Sequence, residues 1–107
     1  MNNSFGISDP SYRLIMDTLS KKPDIEEVII FGSRAKGNYK KGSDIDLAIK
    51  GGNCTASLAL DLKAFMNEAL PIPYMVDVVD YNSLSHPELK EHIDRVGILF
   101  YKKDPNH

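Results

Sequence analysis

"FGSRAKGNYKKGSDIDLAI", residues 31–49, decides how this chain is read. It follows directly on Val28 to Ile30, and Val28 to Phe31 form a short apolar run rich in β-branched residues, the pattern of a buried strand. Gly32-Ser33 breaks that run, Ser33 to Lys36 suits a helical turn, and Gly37 to Gly42 reads as a basic loop. Ile45, Leu47 and Ile49 then alternate with Asp44, Asp46 and Ala48, the period-2 pattern of a second strand. Side chains alternate across a strand, so Asp44 and Asp46 share one face while the three aliphatic residues share the other. Asp is depleted in strands, and two carboxylates on one face raise each other's pKa by repulsion.

That repulsion turns into an advantage when a divalent cation sits between the carboxylates. Hard cations such as Mg²⁺ take carboxylate oxygens together with substrate phosphates. Two-metal phosphoryl transfer needs one more carboxylate close by. Residues 74–81, YMVDVVDY, read as a third strand, and Asp77 lies there between Val76 and Val78. If this strand neighbours the second, Asp77 completes a three-carboxylate site. Asp80 faces the other way and reads as a solvated strand-end residue. Gly32 permits close backbone approach to a bound group. The amides of the turn after it suit a phosphate, with Ser33 adding a hydroxyl and Arg34, Lys36, Lys40 and Lys41 adding positive charge. Taken singly, each feature has a plain reading: a solvated strand face, an ordinary turn, a solvated basic loop. Their order along the chain is what points to nucleotide chemistry.

Gly32-Ser33, ten intervening residues, then Asp44-Ile45-Asp46 resembles the signature of the DNA polymerase β-like nucleotidyltransferases. The fuller string, with Arg34, Ala35, Gly37 and Ser43-Asp44, resembles the minimal nucleotidyltransferase (MNT) branch, and the resemblance runs from about Val28 to Tyr101. It implies that Asp44 and Asp46 bind two Mg²⁺ ions, and that Asp77 is the third carboxylate and helps deprotonate an acceptor hydroxyl. It also implies that Gly32 and Ser33, assisted by Arg34 and Lys36, hold the phosphates of ATP or another nucleoside triphosphate. The expected reaction is attack of the acceptor on the α-phosphate, expelling pyrophosphate. MNT proteins are commonly encoded beside a small helical HEPN protein as antitoxin and toxin. The resemblance thus implies transfer of AMP to a tyrosine of a HEPN partner encoded nearby. The competing expectation is a non-catalytic, nucleotide-binding antitoxin that neutralises its partner by contact.

The rest of the chain frames this reading. At 107 residues it is expected to form one domain, 1–107, with a modest core. A net charge of −2 argues against nucleic-acid binding through a broad basic surface. The single Cys54 excludes an intramolecular disulfide and reads as a bystander in a turn. No apolar run approaches a membrane span and no secretory pattern opens the chain, so a cytoplasmic protein without membrane attachment is expected.

Asp9-Pro10 starts a helix with Tyr12, Ile15, Met16 and Leu19 at helical spacing, stopping near Lys22-Pro23. Leu58, Leu62, Phe65, Met66 and Ala69 line a second, capped by Thr55 or Ser57. Ser85-His86-Pro87-Glu88 fits a capping box for a third, with Leu89, Ile93 and Val96 as its stripe and Gly97 as its end. Ile98 to Tyr101 is a fourth strand. Residues 1–8 and 104–107 read as loose ends. The expected fold is α+β: a small mixed sheet of about four strands with helices packed on one face. So little chain follows the last strand that base and acceptor recognition is expected from a partner or a second copy. His86 and His92 read as surface histidines, Tyr39 as local packing with base stacking the alternative, and Tyr74 and Tyr81 as plain strand residues. Arg95 either caps its helix or faces a partner.

Overall fold

The computed structural model describes residues 4–104. Helix α1 (Asp9–Ser20) leads into strand β1 (Glu27–Phe31), the one-turn helix α2 (Ser33–Lys36) and β2 (Ile45–Lys50). Helix α3 (Ala56–Glu68), β3 (Val76–Asp80), a 3₁₀ turn over Tyr81–Ser83, α4 (Pro87–Val96) and β4 (Ile98–Lys102) complete the domain. The strands form one mixed sheet in the order β3-β2-β1-β4. β1 pairs antiparallel with β2 and β4, whereas β2 and β3 run parallel. A parallel pair needs a crossover, and α3 supplies it.

The α+β class and the four strands agree with the sequence reading; the placement of the helices corrects it. α1 and α3 cover one face, where Ile15, Leu19, Leu62 and Met66 pack on Val28, Ile30, Leu47, Ile49 and Val78. α4 covers the other face, burying Ile93 with Phe31 and Ala48. The continuous apolar run of β1 is the physical reason. Val28 and Ile30 need one cover and Ile29 and Phe31 need a second, as in any central strand.

Local signals were accurate at several helix ends and misleading at others. Thr55 Oγ1 accepts from the Leu58 N–H at 3.1 Å, so Thr55 rather than Ser57 caps α3. The buried stripe of α3 is Ala59, Leu62 and Met66, while Phe65 and Ala69 are exposed. At α4 the cap is His86, whose Nδ1 accepts from the Leu89 N–H at 3.3 Å, in place of a Ser85 capping box. The loose-end reading fails for the described part of the N-terminus, because Phe5 and Ile7 are buried in the core. Residues 1–3 and 105–107 lie outside the described residues.

Asp80 is the clearest reversal. It shares the inward face of β3 with Val76 and Val78 and is only 3% exposed. One carboxylate oxygen accepts from the Ser83 hydroxyl. The other has no hydrogen-bond partner among the described residues. Nearby Cys54 is buried too, and its thiol donates to the Asp24 carbonyl at 3.3 Å. Burial first, then the charge of Asp80, pushes that thiol up, which keeps it un-ionised and unreactive.

Candidate active site

The register of the sheet assembles the site. Phe31, the last residue of β1, lies opposite Asp46 of β2, and Asp46 lies opposite Asp77 of β3. Directly paired residues point to the same face, so the two carboxylates stand side by side. Asp44 immediately precedes β2 and is exposed; Asp46 and Asp77 are half-buried. The Ile45 N–H donates to the Met75 carbonyl at 2.9 Å, which holds the starts of β2 and β3 together.

Asp46 also feels the charges of the other two carboxylates. Burial, above all, holds the Asp46 carboxyl above the ordinary carboxylate range; the charges of Asp77 and then Asp44 push it further, and His92 pulls it back. His92 was read from sequence as a surface histidine. It lies instead on the side of α4 that faces the site, half-buried, edge-on to the Phe31 ring at 6.2 Å. Only the docking of α4 on the Phe31 face brings it there.

Gly32 closes the site from the other side. Its φ of 76° and ψ of −156° belong to a region that glycine alone occupies readily. A Cβ there would also collide with Asp46 Oδ2. The carboxylate thus stands directly against the turn. α2 starts at Ser33, so the amides of Ser33, Arg34 and Ala35 are those that no intrahelical carbonyl can take. Ser33 is half-buried and Lys36 exposed at the end of this turn.

Arg34 departs from expectation. Read from sequence as a phosphate ligand, its side chain is 2% exposed and occupied within the fold. Nε and Nη2 donate to the Ser43 carbonyl at 3.1 and 2.8 Å, and Nη1 donates to the Phe5 carbonyl at 2.9 Å. The guanidinium also lies over the rings of Tyr39 and Tyr74, at 5.1 and 5.0 Å from their centroids. Arg34 therefore staples the N-terminal segment to the loop that precedes Asp44. Tyr74, whose hydroxyl accepts from the Ser8 N–H at 3.0 Å, belongs to the same staple. Arg34→Met will strand several buried carbonyls and cost about 3 kcal/mol, read by urea denaturation. An unchanged midpoint would remove the staple role.

Other residues settle into structural positions. Tyr81 sits in the 3₁₀ turn, donates to Asp94 Oδ1 at 2.6 Å and lies beneath the ammonium groups of Lys50 and Lys90. Arg95 pairs with Glu91 at 3.0 Å on the surface of α4.

The donor set is chemically suited to a hard divalent cation, because hard cations take carboxylate oxygens and Asp46 stands in register with Asp77, close to Asp44. Among the described residues no three acidic, histidine or cysteine side chains converge on one point as the side chains now lie. Asp77 is turned onto Lys63, its Oδ1 3.2 Å from Nζ. No helix among the described residues is long and apolar enough to cross a membrane.

This chain is 39% identical over 75 residues to a Haemophilus influenzae protein named "Probable protein adenylyltransferase MntA", a match that covers 69% of this chain and 64% of that protein. The chain thus spans somewhat under two thirds of that relative's length. Its fold is similar to a chain in a crystal structure of a toxin-antitoxin with AMP-PNP, with a TM-score of 0.68 and 21% identity over 94% of this chain and 77% of that one. It is also similar to a chain in a structure of the tri-AMPylated Shewanella oneidensis HEPN toxin in complex with MNT antitoxin, with a TM-score of 0.59 and 21% identity over 86% and 73% of the two chains. Residues 14–106 match polymerase beta, nucleotidyltransferase. Sheet register, glycine turn and sequence agree, and the chain belongs to the polymerase beta nucleotidyltransferase family.

Proposed function

We propose that this domain is a Mg²⁺-dependent nucleotidyltransferase that moves AMP from ATP to a hydroxyl of a protein acceptor, a tyrosine of a helical HEPN-type partner, and acts as an antitoxin. The observation that carries the reading is the side-by-side pair Asp46 and Asp77 beside the Gly32 turn. The adenylyltransferase name of the Haemophilus influenzae relative supports the reaction, and the toxin-antitoxin structures of similar fold support the setting.

Asp44, Asp46 and Asp77 would hold the metal ions, which when bound offset the negative charge of the transferred phosphate. Gly32 and Ser33 would position the β- and γ-phosphates, with Lys36 at the edge of the turn. The acceptor oxygen forms a bond to the α-phosphorus as the bond to the pyrophosphate oxygen breaks. Asp77, half-exposed and on the edge strand of the sheet, would accept the hydroxyl proton. The carboxylate cluster is accessible to solvent, with Asp44 exposed and Asp77 half-exposed. That suits an acceptor delivered by a second protein rather than enclosed by this domain.

The test is transfer of label from α-labelled ATP, with Mg²⁺, to the protein encoded next to this chain. Label on a tyrosine of that protein, absent with Asp44→Asn, is the expected result. No label with any of the four nucleotides, while Asp44→Asn still neutralises the partner, would establish neutralisation by contact instead.

A further inference from the structure

Strand β3 lies at the edge of the sheet, and its outer backbone is clamped at Val76. Asn67 of α3 accepts from the Val76 N–H through Oδ1 and donates to the Val76 carbonyl through Nδ2, both at 2.8 Å. The same Nδ2 donates to the Lys63 carbonyl at 2.8 Å. One carboxamide thereby ties α3 to the residue just before Asp77. Lys63 is one helical turn before Asn67 and emerges on the same side of α3. Its side chain reaches round the strand edge, from the face that α3 covers to the face that carries the aspartates. There Nζ meets Asp77 Oδ1 at 3.2 Å, with each side chain 47% exposed.

An ion pair this exposed adds little to fold stability. Its place in the structure is more telling than its strength. It rests on the carboxylate that lies in register with Asp46, which is crowded in turn by Asp44. We infer that Lys63 is a resident counter-ion for the carboxylate cluster, occupying Asp77 in the metal-free protein and yielding it to an incoming divalent cation. Lys63 thereby sets how much cation the domain requires. The inference rests on the metal-dependent reading of the site. Two effects act in the same direction: Lys63 competes for a ligand oxygen, and its positive charge repels the cation. Lys63 is a positioning residue here, acting through Asp77.

The experiment is Mn²⁺ binding by the full chain, followed by the loss of free-ion electron paramagnetic resonance signal, with no nucleotide present. Lys63→Met, a good helix former at an exposed position, is expected to bind Mn²⁺ about three- to tenfold more tightly than the unsubstituted chain. Lys63→Arg retains the cation and is expected to stay within about twofold. In an Asp77→Asn background the Lys63→Met effect is expected to shrink below about twofold, because the ligand under competition is gone. Unchanged or weaker binding by Lys63→Met overturns the inference and leaves the metal reading standing. Absence of Mn²⁺ binding by every one of these proteins overturns the inference, because no cation then competes with Lys63 in the nucleotide-free protein, while the metal reading is tested separately by Mg²⁺-dependent transfer.

Discussion

Asp46→Asn will abolish nucleotide transfer and at the same time stabilise the metal-free fold at neutral pH. Asparagine keeps the shape of the side chain but removes one of the charges proposed to hold a divalent cation, so transfer should fall by at least about a hundredfold. The stability effect has the opposite sign because the Asp46 carboxyl is held above its ordinary range, first by burial and then by Asp77 and Asp44. A group whose folded-state pKa is raised binds its proton more tightly in the folded state. Its contribution to stability is fully present below the ordinary aspartate value of 3.8 and is lost as pH rises through the raised folded value. At neutral pH the ionised Asp46 therefore weighs against folding, and Asp46→Asn removes that weight. Urea midpoints across the acidic range should show the variant ahead at pH 7 and the two proteins converging as pH falls. Saturating Mg²⁺ should then stabilise the unsubstituted chain and not the variant. A variant less stable than the unsubstituted chain at pH 7 would show that Asp46 is held by contacts that outweigh the repulsion.

Gly32→Ala is the second large effect, and here stability and activity fall together. The residue sits at φ 76° and ψ −156°, where a side chain is strained whatever the space around it, at a cost of about 1–3 kcal/mol. The new Cβ also meets Asp46 Oδ2, so relief of the collision displaces the carboxylate proposed as a metal ligand. A fall in thermal midpoint of roughly 10 °C is expected for a domain of this size. Transfer should be lost even at temperatures where the variant remains folded. Gly37→Ala makes the contrast. It also replaces a positive-φ glycine, but a Cβ there meets nothing, so it should cost stability while sparing transfer. Equal loss of transfer in both variants would mean that the turn matters through its backbone alone, and not through its approach to Asp46.

Much of this was legible in the sequence because it depends on neighbours in the chain. The period-2 alternation from Asp44 to Ile49 fixed which residues face the core. The glycine after an apolar run marked the turn, and the stop signals placed the helix ends within a few residues. Asp77 was legible only conditionally, because its place beside Asp46 depends on β3 pairing with β2, which the sheet supplies. Asp80, and not Asp77, is the carboxylate that strand alternation carries into the core, on the buried face with Val76 and Val78.

The sequence by itself determined the strands, the glycine turn and the side-by-side placement of Asp44 and Asp46, all set by local geometry and alternation. Tertiary structure alone decided that α4 covers the opposite face and carries His92 to the site. It also turned Arg34 inward to the carbonyls of Phe5 and Ser43, and brought Lys63 round the sheet edge to Asp77. These are contacts between residues 9 to 61 positions apart, made by long side chains whose direction no local pattern encodes. Where a flexible cation lands depends on which strands pair and which face each helix must cover, and that is settled only when the whole core is buried.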